Sequence, residues 1–105
     1  MREVTVVELK AMRDNNDPHQ LIDVREQAEV DAAAIGGEHI PMGLVVANID
    51  NISRDVPVII HCRSGGRSGA IVDALERQYG FTNLYNLKGG IIAWSKEIDP
   101  TITVA

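Results

Sequence analysis

The segment Val56-Pro57-Val58-Ile59-Ile60-His61-Cys62-Arg63-Ser64-Gly65-Gly66-Arg67-Ser68 decides the fold. Its first half is a run of branched apolar residues, the pattern of a central strand covered on both faces. Pro57 stands among the first residues of that strand, where a missing N–H costs little. The second half turns polar and glycine-rich. It gives way to Ser68–Tyr79, where Ile71, Val72 and Leu75 share one helical face and Gly80 supplies the stop. Strand, glycine loop and helix in that order are one unit of an α/β chain.

Working outward, the same alternation recurs. Toward the amino terminus, Thr5-Val6-Val7-Glu8 has capping-box spacing and opens a helix with Leu9 and Met12 inward, which fades near Asn15-Asn16-Asp17-Pro18. Gln20 to Val24 reads as a short strand, Arg25 to about Ala33 as a helix, and Gly43 to Asn51 as a short helix weakened by Val45 and Val46. Toward the carboxyl terminus, Asn83 to Leu87 is a strand, Gly89-Gly90 a turn, and Ile91 to Ile98 a helix ended by Asp99-Pro100. Strands alternating with helices predict an α/β fold around a mainly parallel central sheet flanked by helices.

With 105 residues and no repeat or low-complexity tract, residues 1–105 read as one domain. Hydrophobic residues at 45% and charged residues at 24% exclude intrinsic disorder. Ten basic against fifteen acidic residues leave a net charge of −5, which argues against a nucleic-acid partner. No apolar run approaches the roughly 18–20 residues that span a bilayer, so no membrane partner is expected. The single cysteine excludes an internal disulfide and any multi-cysteine zinc site. The expectation is a reducing, cytoplasmic setting with neither metal nor cofactor.

That cysteine is the candidate for chemistry. In open α/β folds, sites gather at the carboxyl ends of strands, and Cys62 ends the strongest strand. A lone cysteine at a strand end is by itself an ordinary buried hydrophobe. Its surroundings are not ordinary. Gly65 and Gly66 let successive backbone N–H groups turn inward as an anion nest, the helix beyond adds the positive end of its dipole, and Arg63 and Arg67 add charge. All of these favour thiolate over thiol. Ser64 and Ser68 complete the anion-binding loop. His61 precedes Cys62 on the strand, so its side chain points to the other face and is a poor base for Cys62. Asp23 lies at another strand's carboxyl end, and Arg25 is four residues from Glu29, a spacing that predicts a local ion pair. Ile91 and Trp94 read as core, Lys88 as an exposed turn residue.

His61-Cys62-Arg63-Ser64-Gly65-Gly66-Arg67-Ser68 resembles the active-site loop of single-domain rhodaneses, which are sulfurtransferases. Leu21-Ile22-Asp23-Val24-Arg25-Glu26 with Glu29 resembles that family's amino-terminal Asp-x-Arg-x-x-x-Glu signature. Leu87-Lys88-Gly89-Gly90-Ile91-Ile92-Ala93-Trp94 resembles its carboxy-terminal Gly-Gly…Ala-Trp signature. Tyr85 to Pro100 is similar to rhodanese domains appended to adenylyltransferases that activate sulfur-carrier proteins. The family's usual Gly-His-Ile-Pro-Gly-Ala is replaced by Ala33–Glu38, and His39 is assigned no catalytic role.

The resemblance implies a rhodanese-like three-layer fold in which Cys62 carries a persulfide. Its thiolate takes the outer sulfur of a small anionic donor such as thiosulfate. It then yields that sulfur to a nucleophile: cyanide, a thiol, or a sulfur-carrier protein working with an adenylyltransferase. The amides from Arg63 to Ser68 would hold the anionic sulfur. Arg63 either contacts the donor or stays a solvated loop cation; Arg67 either attracts the donor or braces the loop. One alternative is a cysteine phosphatase or arsenate reductase, but those close their loop with five residues between cysteine and arginine, and this loop has four (Arg63–Gly66). The other is a non-catalytic sulfur-relay or docking module, against which the presence of Cys62 argues.

Overall fold

The computed structural model describes residues 1–105. The elements run β1 (Glu3–Val4), α1 (Val6–Asp14), β2 (Gln20–Asp23), α2 (Gln27–Ala32), β3 (Glu38–His39), two 3-10 turns (Met42–Leu44 and Val46–Asn51), β4 (Val58–His61), α3 (Gly66–Tyr79), β5 (Leu84–Leu87) and α4 (Gly90–Glu97). One five-stranded sheet has the order β1-β5-β4-β2-β3, and every neighbouring pair is parallel. The predicted class and all three longer strands are present. No helix is long and apolar enough to cross a membrane.

Local chemistry explains most boundaries. The Thr5 hydroxyl accepts from Glu8 N at 3.1 Å while the Glu8 carboxylate accepts from Thr5 N at 2.9 Å, so the capping box opens α1. Residues 43–51 form 3-10 turns broken at Asn48 rather than one α-helix, in keeping with the poor helical preference of adjacent valines. β1 and β3, two residues each, are too short to leave a periodic signal and were not expected.

Side-chain alternation along the strands divides the core into two layers. Ile22, Val58, Ile60 and Cys62 face α3, packing with Val72, Leu75 and Phe81. Leu21, Ile59 and Leu87 face α1 and α4, packing with Leu9, Ile91 and Trp94. The two core layers lie on opposite faces of the sheet, giving the expected helix–sheet–helix architecture. After β2 the chain steps outward to β3, and after β4 it steps the other way to β5. The crevice between the carboxyl ends of β2 and β4 is therefore a topological switch point, the place where open parallel sheets hold their sites.

Arg25 departs from expectation. It is 1% exposed, and Nε and Nη2 lie 2.8–3.2 Å from the Asp23 carboxylate, with Nη2 also donating to the Ala33 carbonyl at 2.8 Å. Toward Glu29 it offers only Nη1 to the backbone carbonyl, at 3.4 Å. A guanidinium drawn into the interior must neutralise its charge and fill its donors there. Asp23, two residues back on a strand end, does both, whereas the Glu29 side chain points elsewhere. Burial opposes ionisation of Asp23, but hydrogen bonds from Arg25, together with a charge interaction with the neighbouring His61, bring its carboxyl below the usual value. Removing one member of such a pair strands a buried charge, so Arg25→Met is expected to destabilise the fold by about 3–5 kcal/mol, measured by urea unfolding against wild type.

Candidate active site

β4 delivers Cys62 to the switch point on its α3 face, and the chain then turns sharply into α3. Gly65, the residue before α3, has φ +112°, a left-handed conformation that suits glycine. That turn aims the Gly65 N–H at Cys62 Sγ, 3.1 Å away, and brings Ser68 Oγ within 3.4 Å of the same sulfur. Burial pushes the Cys62 thiol up. Against that, the Ser68 hydroxyl and the amides of Ser68, Gly65 and Ser64 stabilise the anion and bring the thiol below its ordinary value. Cys62 is 1% exposed, so the sulfur lies within the core layer yet faces a ring of donors. The surface cavities open elsewhere, around Arg13 and Trp94, around His19 and Gly37, and around Lys88 and Gly89.

Amides face inward because the carbonyls are held outward. Ile91 N donates to the Cys62 carbonyl at 3.0 Å and Ile92 N to the Arg63 carbonyl at 3.1 Å. These are N-terminal amides of α4, which have no partner within their own helix. Gly90, at φ +58°, makes the approach possible: a Cβ there would lie 2.6 Å from the Cys62 oxygen and 2.5 Å from the Arg63 oxygen. The Gly65 carbonyl accepts from Gly69 N at 3.0 Å and from Asn86 Nδ2 at 3.1 Å.

The remaining loop residues separate into distinct positions. Arg67 donates from both terminal nitrogens to both Glu29 carboxylate oxygens, at 2.7 and 2.8 Å, tying α3 to α2 across the crevice. The Arg67 bonds hold the Glu29 carboxyl down to about 2, and Glu29 in turn raises the Arg67 guanidinium. Of the two roles open to Arg67, the geometry matches the brace. Arg63 is exposed, with Nε donating to the Ala105 carbonyl at 2.8 Å, and Ser64 and Gly66 are exposed as well. His61 lies on the opposite face, fully buried, with Nε2 3.6 Å from Asp23 Oδ2; burial pushes its pKa down. His39 Nε2 meets the Arg25 carbonyl at 2.6 Å. Two features of the site escaped the sequence reading: the Glu29–Arg67 bridge and Asn86. The signal for Asn86 was a lone amide in an otherwise apolar strand.

A wholly parallel α/β sheet thus carries, at its switch point, a cysteine whose sulfur faces N–H and O–H donors. The rhodanese-like domain model matches residues 5–97, and the chain belongs to that family. It is 40% identical over 80 residues, 75% of its length, to the uncharacterized protein YqhL of Bacillus subtilis, of which this stretch covers 63%. It is 37% identical over 83 residues to a protein of Allochromatium vinosum named sulfurtransferase, with 78% of this chain and 77% of that one aligned. Identity to the maize adenylyltransferase and sulfurtransferase MOCS3-1 is 30% over 109 residues, 96% of this chain but 23% of that protein. The chain thus spans less than two thirds of both YqhL and MOCS3-1. A rhodanese-like domain protein from Staphylococcus aureus superposes with a TM-score of 0.81 at 27% identity, covering 100% of this chain and 99% of that one.

Two outcomes follow from this geometry. Gly90→Ala should destabilise the protein by about 2 kcal/mol or more and raise the Cys62 thiol pKa. Gly43→Ala, where an added Cβ meets nothing within 4 Å, should do neither; denaturant melts and thiol titration read both. Glu29 has its folded value lowered from 4.5 to about 2, so its stabilisation is complete above 4.5 and is lost as pH falls through about 2. The stability difference between wild type and Glu29→Gln, measured by chemical denaturation, should hold steady above 4.5 and close across that acid window.

Proposed function

We propose that this chain is a sulfurtransferase and that Cys62 carries the transferred sulfur. The observation that carries this reading is the convergence of the Ser64, Gly65 and Ser68 amides and the Ser68 hydroxyl on one sulfur atom. Such a ring stabilises negative charge on sulfur, first as thiolate and then as persulfide. The name of the Allochromatium vinosum relative supports sulfur transfer as the class of reaction.

The steps balance with no added oxidant. The Cys62 thiolate attacks the sulfane sulfur of a donor such as thiosulfate. A new S–S bond forms, the donor S–S bond breaks, and sulfite leaves with the bonding pair. A nucleophile then attacks the outer sulfur of the persulfide, and Cys62 departs as thiolate. An acceptor of low molecular mass, such as cyanide or a thiol, serves in vitro. The name of MOCS3-1, an adenylyltransferase and sulfurtransferase, supports an adenylyltransferase as a working partner, and the family resemblance implies a sulfur-carrier protein as the acceptor in the cell.

Phosphoryl transfer is disfavoured by Arg67. In a loop built for a tetrahedral oxyanion, the guanidinium is presented bidentately to that anion. Here Arg67 spends its bidentate pair on Glu29, so no guanidinium is presented to an oxyanion at Cys62. Reduced protein incubated with thiosulfate should gain the mass of one sulfur atom on Cys62. Cyanide should discharge it as thiocyanate, and Cys62→Ser should show neither event. Absence of the added sulfur, together with hydrolysis of an aryl phosphate, would overturn the reading.

A further inference from the structure

Asn86 is the polar residue of β5 on the face turned toward α3, 6% exposed and beside Ile60 in the strand register. An amide in that position is costly to bury unless its donors and acceptor are used. Its orientation is fixed by chemistry. The Gly65 carbonyl can only accept, so Nδ2 must face it, at 3.1 Å. Oδ1 therefore faces Ser68 Oγ at 2.6 Å and can only accept from it. Gly69 leaves room beside this amide: a Cβ there would lie 3.3 Å from Asn86 Nδ2, a tight contact.

Ser68 has one hydroxyl proton, and two acceptors lie within reach of it: Asn86 Oδ1 at 2.6 Å and Cys62 Sγ at 3.4 Å. With a neutral thiol, the proton rests on Asn86 and the S–H donates to the Ser68 oxygen. With a thiolate, no S–H remains, and a charge-assisted bond draws the hydroxyl round to sulfur. We propose that Asn86 is a positioning residue for Cys62: it holds the Gly65 carbonyl outward and keeps the Ser68 proton in reserve, releasing it when the Cys62 sulfur becomes anionic. Ser68 then supports Sγ twice in a cycle, as attacking thiolate and again as leaving group. In the persulfide between those steps the charge sits on the outer sulfur and the proton returns to Asn86. The hydroxyl rotor follows the charge.

Among the other charges near Cys62, the adjacent Arg63 is exposed and donates from Nε to the Ala105 carbonyl. Arg67 reaches Cys62 from α3 already paired with Glu29 of α2, β5 presents neutral Asn86, α4 presents backbone amides, and His61 and Asp23 lie across the sheet. The inference rests on the reading of Cys62 as the sulfur carrier, yet its test uses ionisation alone and needs no donor, so the two can fail separately.

The test is a double-mutant cycle on Ser68→Ala and Asn86→Leu. Cys62 ionisation is followed by ultraviolet thiolate absorbance, with a Cys62→Ser blank in each background. Ser68→Ala should raise the apparent thiol pKa. Asn86→Leu frees the hydroxyl for sulfur, so the thiolate-to-thiol ratio it produces in the wild-type background should exceed, by about tenfold, the change it produces in Ser68→Ala. Equal shifts in both backgrounds would reduce Asn86 to a brace for Gly65 and overturn the proposal. A second readout needs no substitution at position 86. In nitrogen-15 spectra of wild type, the Asn86 side-chain amide should titrate in step with Cys62 and lose that step in Ser68→Ala. Persistence of the step in Ser68→Ala, or its absence from wild type, would equally overturn it.

Discussion

The site depends on where three carbonyl groups point. Left to itself, a loop leaving a parallel strand presents oxygens as readily as N–H groups to whatever lies inside it. Here the oxygens of Cys62 and Arg63 are taken by the first amides of α4, and that of Gly65 by Asn86 and Gly69. Two helix N-termini thus divide the labour. One directs its amides at the sulfur, and the other removes the competing dipoles. This arrangement satisfies α4's unpartnered donors as well, so the end of the fold and the start of the site are stabilised by the same hydrogen bonds.

Around that loop the charged residues act mainly as architecture. Arg25 and Asp23 form a buried pair that seats the chain as it leaves β2, and Arg67 and Glu29 form a second, shallower pair that spans the crevice. Neither arginine is left free to meet an anionic substrate. The donors turned toward Cys62 are backbone and hydroxyl dipoles, which fix their direction without carrying a net charge into the core.

Much of this was legible in the chain, for reasons tied to particular residues. The Val56–Cys62 run, the Thr5 capping box and the glycine pair at 65–66 each announce one local conformation, and each is found. Cys62 is legible as a candidate because a strand end, a glycine loop and a helix start coincide there, and the structure turns the Gly65 amide and the Ser68 hydroxyl toward its sulfur. The Arg25–Glu29 spacing misled because helix-surface pairing assumes an exposed arginine, whereas Arg25 is swallowed by the fold and claims Asp23. Arg67 and Glu29 are 38 positions apart, so only the crossover geometry brings them together. The two-residue strands carry too little pattern to register, and Asn86 acquires meaning only once β5 lies beside the loop.

Those two short strands have a consequence of their own. β1 and β3 border the sheet, and each offers a neighbouring chain scarcely one repeat of open ladder. Of the longer strands, β4 is paired along both edges, whereas β3 covers β2 only at Ile22–Asp23 and β1 covers β5 only at Asn86–Leu87. Border strands of two residues give an added strand little backbone to extend, so β-augmentation is poorly served at either end of this sheet.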